Sequence, residues 1–470
     1  MPIMMPRFTE GSAEGGFTVM GTFDPESRWR DPQCAVLPAI ADKDREAVVL
    51  CMDELLFPLC GPSDLLVTRC RMEEGLQAYL NGLGLLPGHR SMYESDEQIY
   101  ASWSEGEFKR DIFELAAERP QALPPEALGG RLSPYAVTEG VEAYLSQTDG
   151  TTALPKLEVV KEVNSKLYSH RLLERIGQRT YGVQVDSAEA LMLLGKQLLE
   201  SGAFLIKDPF GVSGKGNLLI GSEGMLERIA AHLRKQESAG RRTEFLAEPF
   251  LDKRDDFSSQ WFIGEGGENT LLSVQRMRND GMNYGGSESA DEPFRHWLEE
   301  QGYYGILQDA LGHLYRDGYT GYVCFDSMVL QGGELVPIVE INARKSMGLI
   351  NAALDRYLQG YGRQGMLLSV SLGLPQNFTF SRLMTGLAEA QLLYPDTKGF
   401  GMIPLSSGTV TVNRTLADFR TASGTAPKGT LSLPKGRLYV TLVGKDAVHR
   451  AELSSRLRQL LTHLSLKVYN

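Results

Sequence analysis

The sequence predicts a mixed fold of α/β and α+β units in more than one domain. A chain of 470 residues is too long to surround one ordinary core. Apolar runs of strand length alternate with segments whose apolar residues recur at helical spacing. Polar or glycine-containing stretches interrupt this alternation. We therefore expect an N-terminal α/β domain (1–155), a central α+β domain (156–375) and a C-terminal α/β module (376–470).

The N-terminal domain is expected to become ordered near Ala35, because the first thirty residues are rich in glycine and proline. Ala47–Met52 and Leu65–Thr68 are apolar runs, and Glu73–Leu80 has helical character. In the C-terminal module the pattern predicts strands over Gly408–Val412 and Leu438–Val443, followed by a helix from about 446 to 464.

Helical spacing in the central domain begins at Asn164 and stops at Gly177, and Ser187 can cap a second helix. The remaining elements form an α+β pattern with a hairpin turn over 331–334. Strands are predicted at Phe204–Lys207, Leu218–Ile220, Glu244–Leu251, Ser259–Ile263, Tyr322–Leu330 and Leu335–Ile341, and a helix around 225–233.

Composition narrows the class of partner. A formal charge of −11 disfavours nucleic acid and anionic membranes, since both require a basic surface. The N-terminus lacks the pattern of a signal peptide and no apolar stretch has the length of a membrane span, so a cytoplasmic protein is expected. The five cysteines show no metal-ligand spacing, and we expect reduced, mostly buried thiols.

The first chemical motif is a lysine at the end of a predicted strand followed by a glycine-rich loop. Glycines let backbone N–H groups converge on phosphate oxygens, and Lys207 supplies a fixed positive charge. The loop differs from a Walker A motif and from the protein-kinase pattern. A flexible hairpin turn is the alternative interpretation. The candidate phosphate-binding residues are Lys207, Gly211, Ser213, Gly214, Lys215 and Gly216.

The second motif is an apolar stretch that leads into charged residues. An adenine ring needs apolar walls with a backbone donor and acceptor, and a ribose needs a carboxylate beyond them. A strand that ends in a charged hairpin would have the same sequence. The candidate nucleotide-binding residues are Glu248, Pro249, Phe250, Leu251, Asp255 and Asp256.

The third motif is the most specific. Asp326 lies on one predicted strand, and Glu340, Asn342 and Arg344 alternate at the end of the next. Alternation places the last three on one face, and a hairpin centred on Gly333 would set Asp326 across from Glu340. Oxygen ligands of this kind suit Mg²⁺, and a guanidinium can stabilise a phosphoryl group in transfer. An edge strand with solvated charges is the alternative.

In this order, the motifs over 164–372 resemble the ATP-grasp superfamily. The resemblance implies two α+β subdomains that hold ATP between them. It implies phosphate contacts from Lys166 and Lys207, an adenine hinge over 248–251, and a ribose carboxylate at Asp255 or Asp256, where the family usually has Glu. It also implies magnesium ligation by Asp326, Glu340 and Asn342, with Arg344 closing the family's E-x-N-x-R signature.

The wider layout, with Leu132-Ser133-Pro134-Tyr135 before the core, resembles the peptide ligases of the pheganomycin type and the amino acid–carrier protein ligases of the butirosin type. The resemblance implies an ATP-dependent carboxylate–amine ligase of natural-product biosynthesis that works through an acyl phosphate and releases ADP. Loading of an amino acid onto a carrier-protein thiol is the alternative. A non-catalytic nucleotide sensor and a small-molecule kinase are further alternatives.

Substrate residues are predicted in two places. The stretch 274–287 is rich in glycine, asparagine and arginine and is expected to be a loop; its Arg276 and Arg278 could bind a carboxylate beside Tyr284. A solvated surface loop is the alternative. Ser346 and Gly348 follow Arg344 and would lie near the reacting centre in the family geometry.

Overall fold

The computed structural model describes residues 16–39, 41–124, 127, 130–148, 152–211, 216–280, 283–424 and 432–469. These residues form three sheets, of four, nine and four strands. The first sheet is parallel and the other two are antiparallel. The predicted combination of α/β and α+β units is confirmed.

The N-terminal unit is built on the parallel sheet, whose strand order is β3-β2-β1-β4. Its strands are β1 (Phe17–Met20), β2 (Leu65–Cys70), β3 (Gly88–Tyr93) and β4 (Arg131–Pro134). Its helices are α1 (Pro25–Trp29), α2 (Lys43–Leu50), α3 (Glu74–Gly82), α4 (Asp96–Glu105), α5 (Ile112–Glu118) and α6 (Glu139–Leu145), with 3-10 turns at Met52–Leu59, Glu107–Lys109 and Pro120–Ala122.

The expectation that order begins near Ala35 is wrong. Strand β1 starts at Phe17, is buried along its whole length and pairs with both β2 and β4. Only four residues are needed, because central strands of a parallel sheet are covered on both faces and can be short apolar runs. The glycine- and proline-rich composition around β1 concealed this strand.

The second unit is small and contains two helices packed on a four-stranded sheet of order β5-β8-β6-β7. Its strands are β5 (Val183–Val185), β6 (Phe204–Lys207), β7 (Asn217–Ile220) and β8 (Phe245–Pro249). Helices α7 (Leu157–Asn164) and α8 (Lys166–Arg175) precede the sheet, and α9 (Ala188–Ser201) and α10 (Glu223–Ser238) cover it. Ser187 caps α9, as predicted, by accepting a hydrogen bond from the N–H of Ala190.

The third unit is built on the large sheet, ordered β13-β12-β9-β10-β11-β14-β16-β15, with β17 beside β14. Its strands are β9 (Lys253–Ile263), β10 (Asn269–Asp280), β11 (Asn283–Ser289), β12 (Gly321–Leu330), β13 (Leu335–Asn342), β14 (Gln364–Gly373), β15 (Gly401–Pro404), β16 (Lys435–Gly444) and β17 (Lys467–Val468). Its helices are α11 (Glu292–Glu300), α12 (Tyr303–Arg316), α13 (Met347–Gln359), α14 (Phe380–Glu389), α15 (Gly408–Ala422) and α16 (Ala447–His463).

The large sheet continues across the predicted boundary at residue 375. Strand β14 pairs along its full length with β16, so segments from both sides of that boundary share one ladder. One apolar core accordingly extends through the N-terminal unit and the large sheet, whereas the small unit has a core of its own. The domain boundaries at 155 and 375 remain predictions.

Two local predictions are corrected. The stretch 274–287, expected to be a loop, contains most of the β10–β11 hairpin. Its polar residues alternate between the two faces of these paired strands. The strand expected at 408–412 is the start of helix α15. The buried Glu54 carboxylate accepts the N–H groups of Ser407 and Gly408, at 2.5 and 3.1 Å. This tertiary capping stabilises the helix start against the strand preference of β-branched residues.

The cysteine prediction is confirmed, since all five are free thiols and four are buried. Among the helices that the structure describes, none combines the length and apolarity required to cross a lipid bilayer.

Candidate functional site

A cleft separates the small unit from the β12–β13 edge of the large sheet. Its lining combines predicted residues of the small-unit side with apolar side chains of the large sheet. Among these are Lys166, Lys207, Glu248 and Leu251 from the small-unit side, together with Met328 and Ile338 from the large sheet. Two phosphate candidates, Lys166 and Lys207, and two hinge candidates, Glu248 and Leu251, therefore face one space, as expected of a nucleotide cleft.

Lys166 is the first residue of α8, and Ser165 caps that helix. The lysine is buried, and its Nζ donates to the carboxylate of Glu340 at 2.9 Å and to the carbonyl of Gly211 at 2.5 Å. One ammonium group thus contacts the predicted glycine loop and a predicted metal ligand.

Lys207 ends strand β6 and forms an ion pair with Glu248 on the neighbouring strand β8. Both side chains are nearly buried, so the pair is shielded from water. The carboxylate of Glu248 neutralises the lysine and fixes its direction along the cleft wall.

The described parts of the glycine loop are Gly211 and Gly216; Ser213, Gly214 and Lys215 lie outside the described residues. Gly216 has φ +86°, and a Cβ there would stand 2.7 Å from the Cα of Gly211. Only glycine fits this position without backbone movement. The loop is closed by a hydrogen bond from the N–H of Asp208 to the carbonyl of Gly216 at 2.7 Å.

Within the predicted hinge, Pro249 ends strand β8 and Phe250 is half-exposed. Asp255 and Asp256 lie on β9, and Asp256 forms an ion pair with Lys253. Burial would raise the pKa of Asp255, but hydrogen bonds from Arg254 and Arg276 outweigh it and lower that pKa. Asp255 is therefore held ionised by two arginines.

The predicted metal ligands converge on the β12–β13 hairpin. Asp326 lies across from Glu340 in the ladder, which confirms the register expected from the turn. The side-chain amide of Asn342 donates to the carboxylate of Asp326 at 3.0 Å. Burial and the facing charge of Glu340 raise the pKa of Asp326 to about 7. Two carboxylates that oppose each other in a partly buried position fit a divalent cation, which would relieve their repulsion.

Arg344 is buried and hydrogen-bonded on every side. Its Nε donates to Glu26 at 2.7 Å, its Nη1 to the hydroxyl of Tyr135 at 3.0 Å and its Nη2 to the amide oxygen of Asn342 at 2.9 Å. The guanidinium therefore links the metal-ligand candidates to the N-terminal unit.

Sequence reasoning missed three residues of this neighbourhood. Glu26 and Tyr135 hold Arg344, and Arg30 forms an ion pair with Asp208 at the base of the glycine loop. Tyr135 was noted only as part of the layout. No local signal could have found these residues, because each partner lies more than 170 positions away along the chain.

The predicted substrate residues divide into two groups. Arg276 pairs with Asp255 and Arg278 with Glu288 at 2.8 Å, in both cases across neighbouring strands. The Tyr284 hydroxyl contacts Ser287 of the same strand, β11, at 2.8 Å. The described contacts do not bring these three residues to Arg344. Their role in substrate binding remains a prediction.

Ser346 and Gly348 lie at the start of helix α13, two and four residues after Arg344, and their place at a reacting centre remains a prediction. Ser346 caps helix α13 by accepting the N–H of Leu349 at 3.1 Å. Gly348 packs so closely on Gln260 that a Cβ would lie 2.5 Å from the Gln260 amide nitrogen.

Comparison with known proteins tests the predicted resemblance of the chain. No family model matches the chain. The chain is 31% identical over 203 residues to the [butirosin acyl-carrier protein]–L-glutamate ligase of Niallia circulans. The chain is similar to a ligase. This confirms the predicted resemblance to the butirosin group, although the match covers 40% of this chain and only 45% of the relative.

Solved structures resemble the chain only distantly. The biotin carboxylase domain of the 2-oxoglutarate carboxylase of Hydrogenobacter thermophilus has a TM-score of 0.49 at 11% identity, over 97% of this chain and 91% of that one. N5-carboxyaminoimidazole synthetase of Staphylococcus aureus, solved with ADP, has a TM-score of 0.48 at 10% identity, over 96% and 99%. Likenesses this distant carry no functional argument.

Proposed function

We propose that the chain is an ATP-dependent ligase of the ATP-grasp kind, which activates a carboxylate as an acyl phosphate and transfers the acyl group to an amine. One observation carries the proposal: the ion pair between Lys166 and Glu340. It joins a candidate phosphate-binding lysine of the small unit to a metal-ligand candidate of the large sheet. A nucleotide phosphate and a divalent cation would have to meet at this point.

The basic residues of the site would bind the phosphates, and its oxygen ligands would bind the metal ion. Lys166 and Lys207 would hold the phosphates of ATP, with the backbone around Gly211 and Gly216 wrapped against them. Asp326, Glu340 and Asn342 would hold Mg²⁺, which supplies charge neutralisation at the transferring phosphoryl group. Arg344, fixed by Glu26 and Tyr135, would place a permanent positive charge beside that group.

The proposed reaction consists of two displacement steps and needs no covalent enzyme intermediate. A carboxylate oxygen of the substrate attacks the γ-phosphorus, the bond to the bridging oxygen breaks, and ADP leaves. The acceptor amine then attacks the acyl carbon, the C–O bond to phosphate breaks, and the amine proton passes to phosphate or water. Cys324 faces Asp326, but burial raises the pKa of its thiol, which keeps it protonated and a poor nucleophile.

A second candidate acceptor is the thiol of a carrier protein. The observation that favours it is the similarity to the butirosin carrier-protein ligase. The first half-reaction would be the same, and the product would be a thioester. Either acceptor fits a role in natural-product biosynthesis within the cytoplasm.

The proposal is tested by trapping the activated acid. Purified protein is incubated with ATP, Mg²⁺, hydroxylamine and panels of amino acids, peptides and small acids. We expect a hydroxamate and stoichiometric ADP with at least one acid, and neither without Mg²⁺. Formation of AMP and pyrophosphate, or of a stable phosphate ester on a hydroxyl, would contradict the assignment. Replacing hydroxylamine by free amines or by a carrier protein then distinguishes the two acceptors.

A further inference from the structure

A second cavity, of about 390 Å³, lies where the N-terminal unit meets the large sheet. Its lining comes from β4, which is an edge strand of the parallel sheet, from the segment over 152–155, and from the facing ends of β9 and β12. The cavity shares no lining residue with the nucleotide cleft. Its volume lies in the range of pockets that bury most of a small organic ligand.

Arg131 is the lining residue whose contacts point to a ligand. It begins β4 in register with Phe17 of β1, and its guanidinium lies over the Phe17 ring, 4.4 Å from the ring centre. The Arg131 side chain is half-buried, yet among the residues that the structure describes it makes no hydrogen bond and no ion pair. A guanidinium supported on one face by an aromatic ring keeps its in-plane N–H donors for an anion.

The other cations that line the cavity are already occupied. The Arg344 guanidinium is saturated by hydrogen bonds to protein oxygens. The Nζ of Lys345 donates to the carbonyl of Ser133 at 3.2 Å and to the hydroxyl of the same residue. Within the described part of the chain, Arg131 is therefore the lining cation whose donors are unused.

The acidic residues of the lining do not neutralise Arg131. Glu265 and Glu268 lie on the turn between β9 and β10, and both are exposed. In the described contacts neither carboxylate forms an ion pair with Arg131. Exposed charges of this kind are screened by water and salt. The guanidinium consequently remains available to an anion.

The remaining walls are apolar and aromatic. The rings of Phe262 and Tyr322, on the paired ends of β9 and β12, meet edge to face with their centres 5.0 Å apart. Leu154 and Val160 also line the cavity. Walls of this kind favour a ligand with an organic body over a bare inorganic ion, because they have little to offer a hydrated charge.

We propose that this cavity binds a small organic anion, whose carboxylate or phosphate group is held by Arg131 and whose apolar body packs against Phe262 and Tyr322. Carboxylates and phosphates present paired oxygens to a guanidinium in the same way, so the two groups share this chemistry. The site is separate from the nucleotide cleft, and the inference does not depend on the proposed reaction.

A fluorescent organic anion tests the site without turnover. The dye 8-anilinonaphthalene-1-sulfonate, which brightens in apolar surroundings, is titrated into the full chain with and without saturating ADP and Mg²⁺. We expect dye binding that ADP does not displace. Displacement of the dye by ADP, or no dye binding at all, would overturn the proposal.

Competition for the dye then identifies the anionic group. 3-Phenylpropionate or 2-phenylethyl phosphate should displace the dye at about tenfold lower concentration than neutral 3-phenylpropionamide, because hydrogen bonds to an ionised acceptor are the stronger kind. The more effective of the two anions shows which group the site prefers. Equal displacement by the anions and the amide would contradict an anion site.

Matched variants locate the effect. Arg131→Gln should remove the preference for the anions over the amide, and Arg131→Lys should retain part of it, since it keeps the charge but loses the planar donors. Arg382→Gln removes the same charge from an exposed position on α14 and should leave the preference unchanged. If the control variant loses the preference equally, the effect is one of net charge and the site is wrong.

Urea denaturation checks that each variant is folded. If Arg131→Gln does not fold, the Arg131→Lys variant and the competition in the unaltered protein still decide the question. Because no step of this test requires ATP hydrolysis or hydroxamate formation, failure of the proposed function would leave its result unaffected.

Discussion

The carboxylate of Glu26 and the guanidinium of Arg344 form a buried ion pair between the N-terminal unit and the end of strand β13. The Nη2–Oε1 distance is 2.6 Å, and the two side chains are 4% and 9% exposed, respectively. The pair fixes the arginine that the proposed reaction would use. Under the proposed function, Glu26 would be a positioning residue, although it precedes Ala35, where the sequence predicts that order begins.

Glu26→Gln should destabilise the protein, because it leaves the Arg344 charge buried without its counter-ion. The expected loss in the free energy of unfolding is about 3–5 kcal/mol, measured by urea denaturation. Glu46→Gln provides the control, since its ion pair with Lys109 is 44% exposed on both sides and should contribute about 1 kcal/mol or less. Equal effects of the two substitutions would contradict a special role for the buried pair.

ATP with Mg²⁺ should stabilise the folded protein, because ligands that bind only the native state shift unfolding. The expected stabilisation is about 2.7 kcal/mol at a hundredfold excess over the dissociation constant, measured as a thermal shift. Lys207→Ala should remove most of this shift, whereas Lys196→Ala, at an exposed ion pair on α9, should retain it. If ATP with Mg²⁺ causes no thermal shift in the unaltered protein, the assignment of this cleft to a nucleotide is wrong.

Glu340→Gln and Asn342→Ala should each lower turnover by at least about a hundredfold while the protein remains folded, because they remove electrostatic support from the transferring group. Glu334→Gln is the matched control on the same hairpin; its carboxylate is exposed and binds Arg179 at 2.8 Å. Rates of ADP release are measured against Mg²⁺ concentration. Near-normal rates and magnesium dependence in the Glu340 variant would show that the metal ligands are misassigned.

The free energy of unfolding should decrease as the pH falls from about 6.5 towards 4, because His89 is buried in its neutral form. Burial lowers the pKa of this imidazole to about 4, and its Nε2 lies 2.8 Å from the Thr68 hydroxyl. A depressed folded-state pKa means that the unfolded chain binds the proton first. The contribution is complete above about pH 6.5 and is lost as the pH falls towards 4, by on the order of 2 kcal/mol at pH 5. His89→Gln should show a smaller change between pH 7 and pH 5 in urea denaturation. An unchanged pH dependence would exclude His89 as the cause.

Several parts of the fold and site could be predicted because their signals are local. The two-residue alternation of strand side chains and the short turn over 331–334 were sufficient to set Asp326 opposite Glu340. Ser187 and Gly177 marked a helix start and a helix end through their capping chemistry.

Other parts depend on contacts between distant segments. The pairing of β14 with β16 and the capping of α15 by Glu54 leave no trace in a window of neighbouring residues. The partner of Arg276 was equally hidden. The polar composition around Arg276 predicts a loop arginine free to bind substrate, but Asp255, 21 positions earlier, neutralises its charge across the ladder. Charge partners on adjacent strands are decided by register, which composition cannot supply.

The separate core of the small unit has a consequence for how such chains can diversify. Because residues 183–249 bury their own apolar cluster, apart from a short contribution at Ala35 and Leu37, their surface could change without disturbing the large sheet. The opposite holds at residue 375, where a graft would force β14 of one chain to pair along its full length with β16 of another. Recombination between related chains should therefore be tolerated around the small unit and selected against within the large sheet.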